Sequence, residues 1–83
     1  MMLVSILYFA AVRELVGHDE EQVHLPDEVT TIGELAAFLE HHRPALAGRL
    51  GTVRFARNEE FTTPGETLAA GDVIALIPPV AGG

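Results

Sequence analysis

At 83 residues, with 48% hydrophobic and 20% charged side chains, the chain is long enough for one domain with a modest core and too apolar for disorder. The absence of cysteine excludes disulfides and thiolate-based zinc or redox sites and suits the cytoplasm; the net charge of −7 argues against nucleic acid and for partners with basic surfaces. No stretch approaches the roughly 20 apolar residues of a membrane span, and residues 1–12 lack the basic start and cleavage region of a signal peptide.

In chain order, residues 3–9 are rich in strand formers and apolar on both faces, the pattern of a central strand. Residues 14–17 predict a short helical turn closed by Gly17. Residues 21–25 alternate polar and apolar, predicting a second strand paired with the first as a hairpin and ended by Pro26 and Asp27. Thr31 and Glu34 have the spacing of a capping box, and Ile32, Leu35, Ala36 and Leu39 then recur at helical spacing on one face. His41, His42 and Arg43 put potential positive charge in the last turn, where the helix dipole favours it, and Pro44 stops the helix.

Residues 52–55 predict a third strand with Val53 and Phe55 inward, followed by a short edge piece around Glu60 and Phe61. Residues 63–66 and 70–72 carry turn chemistry. Residues 73–77 form a final apolar strand that belongs beside the first in the middle of the sheet. A single helix hides its apolar stripe only by covering one face of a mixed sheet. The fold class is therefore α+β, a β-grasp of the ubiquitin-like kind: four to five strands with one main helix packed on one face. Residues 1–79 make that domain, and residues 80–83 are expected to be a flexible Gly-Gly tail.

The end of the chain is its most telling feature. Pro78 and Pro79 each fix φ and lack a backbone donor, and they stiffen the exit of an apolar strand. Gly82 and Gly83 have no Cβ, so the tip is thin enough to thread a narrow tunnel and present its carboxylate elsewhere. All basic residues are arginine (Arg13, Arg43, Arg49, Arg54, Arg57). A chain with an activated C-terminal acyl group benefits from having no lysine to attack it, although compositional bias explains the absence more simply.

Other candidates carry less. Neighbouring helical residues point about 100° apart, and His41 and His42 have no third ligand nearby, so a solvated helix end is preferred to a metal site. The acidic runs 19–21 and 59–60 read as solvated turns or contacts to a basic partner. Arg13 either pairs locally with Glu14 or faces a partner, with the structural role preferred. Phe55, Phe61, Leu76 and Val80 are candidates for a partner-facing patch. Burial under the helix is the preferred fate of Phe55, and Val80, beyond the prolines, has the strongest claim.

Residues 9–17, from Phe9 through Arg13, Glu14 and Leu15 to Gly17, and residues 71–83, from Gly71 to the Pro78-Pro79-Val80-Ala81-Gly82-Gly83 end, closely resemble the small subunit of molybdopterin synthase, a family of ubiquitin-like sulfur carriers. Asn58 also stands where that family has an Asn, whereas Arg57 replaces its usual apolar residue. The resemblance implies that Gly83 is adenylated by an ATP-dependent activating enzyme similar to ubiquitin-activating enzymes and converted to a thiocarboxylate. It implies that Pro79, Val80, Ala81 and Gly82 insert into the large synthase subunit, where the sulfur passes to a cyclic pyranopterin precursor. No cofactor or metal is then held permanently, and the catalytic groups lie on the partners of a heteromeric assembly, a heterotetramer. Three alternatives stay open: a sulfur carrier of thiamine or cysteine synthesis, a protein modifier joined to lysines, and an interaction module with an inert tail. The segment from Arg13 to Gly17 and the proline pair favour the molybdopterin branch.

Overall fold

The structure, a computed structural model, describes residues 1–79. In chain order its elements are β1 (Met2–Tyr8), α1 (Ala10–Val16), β2 (Glu20–Leu25), α2 (Ile32–His42), a 3-10 turn (Pro44–Leu46), β3 (Arg54–Arg57), β4 (Glu60–Phe61) and β5 (Val73–Ile77). The five strands lie in the order β2-β1-β5-β3-β4. The β1–β5 pair is parallel and the others antiparallel, so the first and last strands are neighbours in the middle of a mixed sheet, as their two-sided apolar pattern requires. This is the β-grasp architecture read from the sequence.

The helix that covers the sheet is set by its cap. The Thr31 hydroxyl accepts a hydrogen bond from Glu34 N at 3.2 Å, and the Glu34 carboxylate accepts from Thr31 N at 3.1 Å, the reciprocal pair of a capping box. From there Ile32, Leu35 and Leu39 are buried. They meet Val4, Ile6 and Tyr8 of β1 and Ile74 and Leu76 of β5 in one core cluster.

β1 and β2 differ from their predicted bounds by no more than a single residue at either end, and two elements differ by more. The turn before Gly17 is a full helix from Ala10, with Gly17 left-handed (φ 89) and donating its N–H to Arg13 O at 2.8 Å. The third strand runs over Arg54–Arg57, two residues later than predicted. Its register explains the shift: Arg54 pairs with Ile77, and the next residue, Pro78, has no N–H with which to extend the ladder. At its other end Asn58 (φ 51) and Glu59 (φ 72) form a two-residue hairpin with both φ values positive, the type I′ form that matches strand twist. Val53 and Phe55 are partly buried against the core, the side predicted for them, although Val53 precedes the strand.

Candidate functional site

Since β5 runs parallel to β1, with Leu76 opposite Tyr8, the chain leaves the sheet beside the end of β1. Pro78 is half-buried and Pro79 exposed at that exit. Of the residues expected to do the work, Pro79 is therefore accessible, while Val80, Ala81, Gly82 and Gly83 lie outside the described residues.

The helices cover one face of the sheet, which leaves the other open. Register places Leu7 opposite Ala75, Ala75 opposite Ala56, and Ala56 opposite Phe61, so these four side chains form a row across β1, β5, β3 and β4. Two alanines make the floor. Leu7, Phe9, Phe61, Val73 and Ile77 stand around them as the walls of a groove at the root of the tail. Phe61 is 59% exposed, Phe9 46% and Val73 37%, values that mark a surface built to be covered. Phe61 is thus exposed on the open face, and Phe55 packs against the core, its preferred fate. Leu76 is a correction: it is fully buried, because even-numbered residues of β5 point at α2 and odd-numbered ones at the open face.

Behind this face a polar network fixes the start of β5. Asp72, 5% exposed, accepts from Arg57 Nε at 2.7 Å, Asn58 Nδ2 at 3.0 Å and Ala69 N at 2.8 Å. Asn58 in turn accepts from Val73 N at 2.9 Å and donates its own N–H to Val73 O at 2.8 Å. Burial alone would raise the Asp72 pKa, but the bonds from Arg57, Ala69 N and Asn58 outweigh it and hold the carboxyl below its ordinary range. Arg57 therefore serves as an internal partner of Asp72. A second network joins Tyr8, whose hydroxyl donates to Glu21 at 2.6 Å, to Arg43, which also donates to Glu21. Here burial and then the Glu21 carboxylate push the phenol up. Arg43, predicted only as a dipole-favoured charge, bridges α2 to β2.

The remaining candidates stay apart. His42 stacks on Phe38 with ring centroids 4.0 Å apart and bonds the Phe38 carbonyl through Nδ1, and among the described residues no three of His, Asp and Glu gather as a metal set. Arg13 is exposed and makes no ion pair among the described residues. The hydroxyls of Tyr8, Thr30 and Thr62 donate to the carboxylates of Glu21, Glu34 and Glu66, and among the described residues no hydroxyl is hydrogen-bonded to a histidine.

The profile of the ThiS family matches residues 6–83. The chain belongs to the ThiS family. The molybdopterin synthase sulfur carrier subunit of Chlamydomonas reinhardtii is 40% identical over 99% of this chain and all of that protein, and the like-named Escherichia coli subunit is 36% identical over 98% of this chain and all of that one. Among solved structures, small archaeal modifier protein 1 of Haloferax volcanii superposes with a TM-score of 0.84 at 31% identity, covering 96% of this chain and 100% of that one. A protein–protein complex of subunits 1 and 2 of the molybdopterin-converting factor of Helicobacter pylori contains a chain that superposes with a TM-score of 0.71 at 28% identity, covering 99% of this chain and 100% of that one. The resemblance first seen at the two ends of the sequence thus extends along the whole chain. Among the described residues no helix is long and apolar enough to cross a membrane.

Proposed function

We propose that the chain is the sulfur-carrying small subunit of a molybdopterin synthase. The carboxylate of Gly83 attacks the α-phosphorus of ATP on an adenylyltransferase resembling ubiquitin-activating enzymes, giving the acyl adenylate and pyrophosphate. A sulfur donor then displaces AMP and leaves a C-terminal thiocarboxylate. An α-carboxylate is ionised near neutral pH and a poor electrophile, so activation must precede sulfur transfer. The open face next docks on the large subunit, with Pro79, Val80, Ala81 and Gly82 leading the sulfur to a cyclic pyranopterin precursor. In this reading the chain supplies a reactive end and an address, and its partners supply the catalysis.

The observation that carries the reading is the apolar row Leu7–Ala75–Ala56–Phe61 across the open face, crossing the strand that leads into the tail, on a chain whose full-length relatives bear the name of sulfur carrier subunit. The test is intact mass after incubation with ATP, an adenylyltransferase and a sulfur donor. A gain matching one oxygen replaced by sulfur, absent from a variant lacking Gly83, is expected. An unchanged mass with a competent activating enzyme refutes the reading. The likeness to a small archaeal modifier protein favours one second reading, a modifier joined to lysines through Gly83. Conjugates of this chain in cell extracts, lost without Gly83, would identify it.

A further inference from the structure

The open face carries one stacked cation. Arg54 shares that face because it pairs with Ile77 in register, two residues before Ala56 on the same strand. Its guanidinium carbon lies 4.0 Å from the centroid of the Phe61 ring. Arg43 and Arg57 are engaged by Glu21 and Asp72, whereas Arg54, like Arg13 and Arg49, has no carboxylate within ion-pair distance among the described residues; stacking on Phe61 is what sets Arg54 apart. Acidic groups outnumber basic ones by 12 to 5 in the chain as a whole. Among the described residues Arg54 is the arginine that stacks on an aromatic ring, the exposed Phe61, and an arrangement of this kind suits it to receive an anion.

The geometry suits a carboxylate. Stacking uses the face of the guanidinium and leaves the N–H edges in its plane free, the fork that binds carboxylate oxygens in pairs. It also limits the rotamers of a long side chain before any partner arrives, which lowers the ordering cost of docking. Around Arg54 the face is uncharged, formed by Ile77, Ala75, Ala56 and Phe61, with Glu59 at the far rim of the groove. A partner that buried an apolar patch here without an opposing acid would leave the guanidinium desolvated and unpaired, which discriminates against it.

We infer that Arg54, held over Phe61 at the tail root, is a specificity-determining contact that receives a carboxylate side chain of the large synthase subunit docking on this face. The inference rests on the functional reading above and adds the chemistry by which the face selects its partner. Lysine is no substitute, since it keeps the charge but loses the planar fork and much of the stacking.

The test is titration calorimetry of the full chain with the large subunit at low and high salt, comparing wild type, Arg54→Met and Arg54→Lys. Arg54→Met is expected to weaken binding on the order of tenfold, to make the affinity less salt-dependent, and to melt with the wild type because the residue is exposed. Arg54→Lys is expected to recover only part of the loss. Wild-type binding matched by Arg54→Met at both salt concentrations overturns the inference and leaves the functional reading standing. A wild-type chain that fails to bind the large subunit overturns that reading and the inference with it.

Discussion

Replacing Asp72 by Asn keeps the shape of the side chain and removes its charge, and the structure sets the size of the result. The oxygen that receives Arg57 Nε at 2.7 Å and Ala69 N at 2.8 Å can be retained by the amide. The other oxygen becomes an NH₂ group facing Asn58 Nδ2, donor against donor. Asn58 cannot turn its own amide in response, because its Oδ1 is held by Val73 N. One buried donor is left without an acceptor, at about 1–2 kcal/mol, and the bond from Arg57 loses its charge assistance, at about 1 kcal/mol. The sum is roughly 2–3 kcal/mol, which in a domain of this size lowers Tm by about 10–20 °C. The assay is thermal melting followed by far-UV circular dichroism near neutral pH.

The same variant makes a prediction about pH. The Asp72 carboxyl is held below its ordinary value in the folded state, so its contribution is complete above the unfolded pKa of about 3.9 and is lost as pH falls through the folded value. The gap between wild type and Asp72→Asn is therefore expected to be full at about pH 5 and above and to close progressively in stronger acid. A variant melting within about 3 °C of wild type near neutral pH would refute the account of the network.

Glu59→Gly is expected to raise stability by about 0.5–1 kcal/mol, because left-handed φ costs a residue with a Cβ about 1–2 kcal/mol and the greater unfolded entropy of glycine returns only part of it; a lower Tm would count against the type I′ assignment. Tyr8 is the sole tyrosine in a chain without tryptophan, so phenolate absorbance reads it directly. Burial and the Glu21 carboxylate should delay its ionisation well beyond the ordinary value of about 10. The stability it lends is full below that value and lost as pH rises past it, and phenolate forming near 10 in still-folded protein would contradict the buried hydrogen bond.

The capping box, the apolar stripe of α2 and the left-handed Gly17 were legible because each rests on residues close in sequence with one dominant physical role. The central placement of β1 and β5 was legible from their two-sided apolar pattern. That pattern also held a second message. In a fold with one main helix, strands apolar on both faces leave one face uncovered, so Leu7, Phe9, Val73, Ala75 and Ile77 line an open apolar face although none was singled out for it. Counting covering elements against apolar faces would have found it. The roles of Arg57, Asp72 and Asn58 were not legible, since their contacts span 14 and 15 residues and depend on the register of β3 against β5. The type I′ hairpin was hidden because Glu59 stands where the usual signal is glycine.

The two ends of β5 divide the work. Its start is locked by Asp72, Asn58 and Arg57, and its end gives onto Pro78 and Pro79, so force applied at the tail is borne by a strand paired on both sides. Beyond Pro79 four residues remain, and four residues span at most about 14 Å. On the proposed reading, any protein that acts on Gly83 must bring its reacting centre within that reach of the exit. The exit is flanked by the open face on one side and by the helix-covered core on the other. An activating enzyme and a large subunit with the same short reach are therefore both drawn to the Phe61 face and cannot hold it together. On that reading the chain leaves one partner to meet the next. That favours an interface of moderate affinity with a few selective contacts, and an apolar groove of small residues rimmed by a single stacked arginine has that character.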